Sequence, residues 1–318
     1  MRVEVRIKSR AGGWAMPNPV QESRTVPGSP PAPAIPASRV RVDIGASSHR
    51  GKVRAVNEDG FAVFRIGRFL ERVTSNLPAG DLPERTEETG HVMIVADGIG
   101  GREAGEVASR TALAATLDQV LRAPRWALKL DDPATREAQL EELRNRAKGY
   151  LAGAQKAVRE RAAGEPGLHG MGTTFTGAYA VGLDLFVMHV GDSKAYLLHE
   201  GALRKITRDH TIAQEIADAG MIAPEEITTH HMRHVLTRAV GVQELEPEAD
   251  ILQPEVAPGD RLLICSDGLT DMASDDEIAR VLAANPSSQD ASGALVQLAL
   301  DRGGQDNVTV IVAGFTAL

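Results

Sequence analysis

The spacing of apolar residues along this chain changes period several times, and each change predicts an element. Residues 41–46 (Arg-Val-Asp-Ile-Gly-Ala) alternate polar and apolar side chains, and residues 61–64 (Phe-Ala-Val-Phe) resume a strand-like run beyond a turn at Gly51. These two runs are expected to pair as antiparallel strands across a charged link. Residues 66–90 are polar and carry Pro78, Gly80 and Pro83, which predicts a long excursion before the apolar run 91–96, a buried strand ending at Asp97-Gly98. Val107, Ala108, Leu113, Ala114, Leu117, Val120 and Leu121 then recur at helical spacing over 105–121, and a second helix is predicted over about 135–163.

After Gly170 the pattern returns to strands: 173–181, 185–190 and 195–199, with Glu200-Gly201 as a hairpin turn. Residues 212–220 read as helix, 221–234 as irregular chain, and 261–265 as another buried strand that ends in Asp-Gly. Helices near 275–284 and 291–302 and a last strand at 308–312 complete the pattern. Strand-rich blocks flanked by helix pairs predict an α+β fold of sheet layers covered by helices.

Composition refines this picture at a few points. With 318 residues, 42% hydrophobic, the chain is long enough for one large domain. Seven prolines between Pro17 and Pro36, set among Ser, Ala and Gly, leave too little apolar surface to offset ordering, so residues 1–38 are expected to be a flexible extension and 39–318 the domain. The net charge of -8 disfavours nucleic acid as a partner. The single cysteine, Cys265, excludes an internal disulfide, and no Cys/His group has zinc spacing. No apolar run is long enough to span a membrane and residues 1–10 lack a signal core, so a cytoplasmic protein without a membrane partner is expected.

The candidate chemistry lies at Asp97 in Val-Ala-Asp-Gly, Asp267 in Cys-Ser-Asp-Gly and Asp306 in Gly-Gly-Gln-Asp-Asn. A carboxylate at the end of a buried strand is costly unless it meets a cation, a donor or water, and three together suit hard divalent cations such as magnesium or manganese. Each Asp-Gly alone fits an ordinary turn. The glycine also lets a backbone carbonyl approach an ion.

Further segments extend these into an ordered set: Arg54-Ala-Val-Asn57-Glu58-Asp59, Asp97-Gly98-Ile99-Gly100-Gly101, Gly172-Thr173-Thr174, Gly191-Asp192-Ser193-Lys194-Ala195-Tyr196, Thr207-Arg208-Asp209-His210-Thr211, Leu236-Thr237-Arg238-Ala239-Val240-Gly241, Ser266-Asp267-Gly268-Leu269-Thr270-Asp271 and Asp306-Asn307. In this order they resemble the metal-dependent PPM-type (type 2C) protein serine/threonine phosphatases over residues 41–316, and most closely the bacterial branch, whose flap beside the active site residues 212–241 resemble. The resemblance implies a four-layer α-β-β-α sandwich of two antiparallel sheets flanked by helices. It implies that Asp97 bridges two Mn2+ or Mg2+ ions, that the Gly98 carbonyl joins the first, that Asp267 and Asp306 complete the second, and that Asp59 and Glu58 hold bound waters. Hydrolysis of phosphoserine or phosphothreonine would then proceed by direct attack of a metal-bridging hydroxide.

By the same resemblance Arg54 would grip the phosphate through a bidentate fork that lysine cannot reproduce, its alternative being a surface salt bridge. Asp192 and Asp271 would form a third metal site or, alternatively, cap turns. Asp209 and His210 would hold the corner between strand and flap. Ile99 stands where many eukaryotic members carry a histidine acid, so the leaving group would be protonated by metal-bound water. His230, His231 and His234 are expected to be exposed side chains of a mobile loop. A cysteine phosphatase would need arginine six positions after Cys265, where Asp271 stands, and Cys265 in its apolar strand is expected to be a buried thiol. Phosphoprotein substrates of serine/threonine kinases and a monomeric enzyme are expected. A phosphoprotein-binding module on the same fold, and an enzyme acting on anti-anti-sigma factors, are the competing functions. The helical stretch 126–163 is longer than a minimal member needs, as a contact surface or a modifier of flap access.

Overall fold

The computed structural model describes residues 39–78, 80–100, 104–123, 134–242 and 248–318. The expected extension (1–38), Gly101 and the first part of the helical insertion (126–133) lie outside them.

The apolar run 91–96 is the inner part of β3 (Arg85–Ala96), and it is covered on both faces. Successive side chains of a strand point to opposite sides, so one apolar run serves two cores. Met93 and Val95 face a core shared by two sheets, whereas Ile94 packs under α1 (Ala104–Arg122) and α2 (Arg136–Gly164) with Ala108, Ala112, Leu151 and Val158. The same division recurs in β11 (Arg261–Cys265): Leu262 and Ile264 enter the inter-sheet core, and Leu263 and Cys265 pack beneath α5 (Asp275–Ala284) and α6 (Ser288–Asp301). In β12 (Val308–Ala317), Ile311, Ala313 and Phe315 face the opposite sheet while Val308, Val310 and Val312 face the helices. Three apolar layers thus separate four layers of structure, the expected α-β-β-α sandwich.

One sheet has the order β1-β12-β11-β8-β9, with β1 at Val40–His49, β8 at Lys194–His199 and β9 at Ala202–Lys205. The other runs β10-β7-β6-β3-β2, with β2 at Gly60–Glu71, β6 at Phe175–Val181, β7 at Asp184–Val190 and β10 at Asp250–Leu252. Glu200 and Gly201 both take positive φ, 48° and 82°, at the predicted hairpin turn, as a two-residue hairpin requires. No helix among the described residues is long and apolar enough to cross a membrane.

Two expectations are corrected. The runs at 41–46 and 61–64 do not pair: β1 pairs with β12 from Val40↔Ala317 to His49↔Val308, and β2 pairs with β3 in the other sheet. Alternation reports that a strand has a buried face, not which strand lies beside it. The predicted excursion at 66–90 is instead the outer part of a long hairpin, registered from Gly60↔Ala96 to Glu71↔Arg85. Its polar character follows from position, because β6 pairs only with residues 91–95 of β3 and the outer hairpin has no second neighbour to cover.

Candidate metal centre

The ends of β3 and β11 and the start of β12 converge at one edge of the sandwich. Asp97 follows β3 and its backbone is held from two sides. The Asp97 N–H donates to Thr174 Oγ1 (2.9 Å), while the Asp97 carbonyl accepts from Thr174 N–H (2.8 Å) and Thr173 Oγ1 (2.9 Å). Thr173 belongs to β5 (Gly172–Thr173), which pairs with β4 (Gly98–Ile99). Asp267 opens the one-turn helix α4 (Asp267–Thr270), and Asp306 stands just before β12.

Both Asp-Gly steps have a packing reason. A Cβ on Gly98 would lie 2.2 Å from the Gly105 carbonyl oxygen and 2.7 Å from that of Glu58, and one on Gly268 would lie 2.0 Å from the Asn307 carbonyl oxygen. Only glycine lets the strand end approach the start of α1, and α4 approach β12, this closely.

The loop 50–59, which carries the chain from one sheet to the other, hangs on Asn307. Its Nδ2 donates to the carbonyls of Arg50 and Val56 (both 2.9 Å), and its Oδ1 accepts from the Glu58 N–H (2.8 Å). The Asn307 N–H also donates to Asp306 Oδ1 (2.8 Å). Asn307 is 5% exposed, so these bonds form out of competition with water. The sequence marked Asn307 only as a motif neighbour of Asp306; its consistent signal is a buried amide that can serve donors and acceptors at once.

Ser266 Oγ donates to Asp59 Oδ2 (2.7 Å), whereas Asp59 Oδ1 and Glu58 Oε1 are buried without a hydrogen-bond partner. Desolvation pushes the Asp59 carboxyl up to about 7, and Asp267 and Asp306 push the same way against hydrogen bonds from Ser266 and Thr309. Asp97 is pushed well above the usual carboxylate range by desolvation and then by Asp59, Asp267, Asp192 and Asp306. Asp192 is pushed up to about 7 by desolvation and by Asp267. Desolvation acts upward on Asp267 too, but hydrogen bonding from His234, the charge of Lys194 and contact with Asp97 outweigh it and hold this carboxyl low. The cluster is therefore rich in oxygen donors and short of positive charge, with buried acceptor atoms unmatched, and this donor set fits hard divalent cations.

Each candidate residue can now be located. Asp59, Asp192, Asp267 and Asp306 all lie close enough to Asp97 to act on its carboxyl. Gly98 lies beside Glu58 and the start of α1. Asp271, one turn after Asp267, reaches His234 rather than the floor of the cleft. Arg54 Nη2 is paired with Asp306 Oδ2 at 2.6 Å, both side chains partly exposed, so the guanidinium sits at the lip of the cluster.

Residues 212–241 form the opposite wall, with α3 at Ile212–Asp218 and a 3-10 helix at Pro224–Thr229. Its base is pinned by Ile212 N–H to the Val235 carbonyl and Thr237 N–H to the His210 carbonyl (both 2.9 Å). His210 Nδ1 accepts from the Gly191 N–H (3.1 Å) and its Nε2 meets Asp250 Oδ2 (3.2 Å). Asp209 joins Lys194 (3.5 Å) and Lys205 (2.6 Å). These two residues therefore hold the strand-to-flap corner, as the sequence indicated.

His234 departs from the expectation of a solvent-facing loop residue. Its Nδ1 lies 3.2 Å from Asp267 Oδ2 and its Nε2 3.1 Å from Asp271 Oδ2, and these two hydrogen bonds raise its pKa to about 10. The sequence held a faint signal for it, acids four residues apart across one turn of α4 and a histidine in the facing segment. Cys265 is fully buried and its thiol is pushed up to about 12 by desolvation, which leaves it protonated and inert.

Comparison with known proteins agrees with this geometry. The family described as Protein phosphatase 2C matches residues 61–308. The chain is 37% identical over 268 residues to serine/threonine protein phosphatase PstP of Mycobacterium tuberculosis, covering 84% of this chain and 44% of that one. It thus spans less than half the length of that relative. It is 31% identical over 263 residues to serine/threonine phosphatase stp of Listeria welshimeri, covering 83% of this chain and 92% of the relative. A solved structure described as the catalytic domain of PstP in complex with two manganese ions superposes with a TM-score of 0.65 at 34% identity, covering 87% of this chain and 99% of that one.

Proposed function

The chain belongs to the protein phosphatase 2C family, and from that premise and the geometry of the cleft we propose that it is a metal-dependent phosphatase of phosphoserine and phosphothreonine in proteins. The observation that carries this is the crowd of carboxylates at Asp59, Asp97, Asp267 and Asp306, short of counter-charge and with Asp59 Oδ1 buried and unpartnered, beneath the guanidinium of Arg54. Asp59, Asp97, the Gly98 carbonyl, Asp267 and Asp306 would hold two manganese or magnesium ions, and Asp192 and Asp271 would serve a third. When bound, such ions supply Lewis-acid charge and an activated water for in-line attack on phosphorus.

The remaining work falls to the chain itself. Arg54 stands where an incoming phosphate dianion can compete with Asp306 for its fork of donors. Asn307 fixes the loop that bears Arg54, and Thr173 and Thr174 fix the backbone of Asp97. Ile99 has no proton to give, so the leaving alkoxide draws its proton from water. The relatives named as serine/threonine phosphatases support phosphoproteins made by serine/threonine kinases as substrates.

The test is turnover of p-nitrophenyl phosphate and of a phosphothreonine peptide with manganese, magnesium or EDTA. Metal-dependent hydrolysis is expected, with Asp97→Asn losing more than the ~10–100-fold that outer-shell substitutions cost. Hydrolysis that survives EDTA would overturn the proposal, and phosphopeptide binding without turnover would move it to the binding-module alternative.

A further inference from the structure

The ladder between β11 and β12 runs from Arg261↔Gly314 to Cys265↔Val310, and one residue further on Ser266 and Thr309 close it with a side chain. The Ser266 N–H donates to the Thr309 carbonyl (3.0 Å), as in a strand, but the Thr309 N–H donates to Ser266 Oγ (3.0 Å) and not to the Ser266 carbonyl. That carbonyl is turned into α4, where it accepts from the Leu269 N–H (3.3 Å). The hydroxyl thus stands in for a backbone acceptor where strand becomes helix, at a position with no solvent exposure. This decides where its proton goes. A serine hydroxyl has one proton and rotates to suit its neighbours. With Oγ held as an acceptor by the strand, that proton is given to Asp59 Oδ2 at 2.7 Å. One oxygen of Asp59 is therefore tied to the buried end of β11, while the other, Oδ1, is buried with no hydrogen-bond partner.

The neighbouring carboxylates have partners of another kind. Asp306 meets the Arg54 guanidinium (2.6 Å) and Asp267 the His234 imidazole (3.2 Å). The donor to Asp59 is neutral, so it orients the carboxylate through a short O–H···O⁻ bond without cancelling the charge that draws a cation. We infer that Ser266 is the positioning residue of Asp59: its hydroxyl fixes the carboxylate's rotamer, occupies Oδ2, and leaves Oδ1 as the oxygen offered to a divalent cation or its water. The chain around Asp59 is held to the same end. Asn57 Nδ2 donates to Ser48 Oγ (2.9 Å), which lies 2.8 Å from Thr309 Oγ1, and Ser109 Oγ donates to the Glu58 carbonyl (2.7 Å). Residues 57, 58 and 59 are thus clamped in turn from β1, from α1 and from the end of β11. Of these three clamps, the one from Ser266 ends on a carboxylate oxygen, which makes it the one that acts on the chemistry.

This rests on the phosphatase proposal only in taking divalent cations as occupants of the floor. The experiment measures the Mn2+ affinity of the full-length protein from the electron paramagnetic resonance signal of free Mn2+, beside kcat and KM for p-nitrophenyl phosphate at saturating Mn2+. It compares wild type, Ser266→Ala, Asp59→Ala and the double variant. Ser266→Ala removes one atom, and a cooperative urea transition checks that it folds. Ser266→Cys, with a weaker donor, carries the same test should it not. The expected result for Ser266→Ala is Mn2+ affinity weakened ~10–100-fold, the range for outer partners of metal ligands. Its kcat should fall while KM stays level, because Arg54 is untouched. In the Asp59→Ala background the same substitution should cost nothing further, since a residue that acts through another is not additive with it. Losses of equal size in both backgrounds, as a merely structural serine would give, overturn the inference. So does a Ser266→Ala protein that binds Mn2+ and turns over as the wild type does, an outcome that leaves the phosphatase standing. A wild type that retains no Mn2+ and hydrolyses nothing overturns both.

Discussion

The two walls of the cleft are built on opposite terms. On the floor, Asp97 and Asp267 emerge directly from the ends of β3 and β11, and their surroundings are fixed by Thr173, Thr174, Ser266 and Asn307, all of them buried. On the flap no residue from 214 to 238 is buried, and what joins it to the floor is charge: His234 to Asp267 and Asp271, and Arg233 to Asp271 at 3.7 Å. A wall whose backbone is held by buried hydrogen bonds keeps one geometry, whereas a wall held by part-exposed ion pairs opens at little cost. The floor is therefore suited to fixed chemistry, and the flap to admission and release.

The most damaging way to break this contrast is Asn307→Ala. It strands the Glu58 N–H and the carbonyls of Arg50 and Val56. A loss of about 2–4 kcal/mol in stability is expected, read from the urea midpoint, together with a ~10–100-fold loss of turnover as the Arg54 loop loosens.

An effect confined to acid, and so smaller than that of Asn307→Ala near neutral pH, comes from His189, and it is read by pH. The His189 Nε2–H donates to the Arg208 carbonyl (3.0 Å), and desolvation followed by the neighbouring His210 lowers its pKa to about 3. Unfolded histidine takes up its proton near pH 6.5 while the folded one does not. The stability it contributes is thus complete above about pH 6.5 and lost as pH falls toward 3, at up to ~1.4 kcal/mol per pH unit. The wild type should lose stability over that window faster than His189→Gln. Parallel pH profiles would show that His189 is not neutral in the fold.

The smallest effect sharpens the comparison from the other side. Arg233→Ala removes one part-exposed ion pair from the flap, and less than about 1 kcal/mol of stability should be lost. The KM for a phosphoprotein should rise a few-fold while p-nitrophenyl phosphate turnover stays level. A large fall for the small substrate would place the flap among the fixed parts.

Much of this was legible in the chain. The helices over 105–121 and 135–163 are found at Ala104–Arg122 and Arg136–Gly164, because their periodic apolar faces are properties of local sequence. The strand ends bearing Asp97 and Asp267 were marked by apolar runs halting at Asp-Gly. The partner of β1 was not, since an alternating pattern says only that one face is covered and β12 lies some 260 residues away. Nor was the glycine requirement, which comes from backbone of other segments: Gly105 and Glu58 at Gly98, and Asn307 at Gly268.

What the sequence determined by itself is the set of donors and the elements that carry them. Residue type and local period are fixed before any long-range contact forms. What only the tertiary structure decided is which donors meet. It brought His234 from an irregular segment to within 3.2 Å of Asp267, turned Arg54 onto Asp306, and left Asp59 Oδ1 buried without a partner. Those three facts depend on the loops between elements, whose conformation is set by hydrogen bonds and charges contributed from far along the chain.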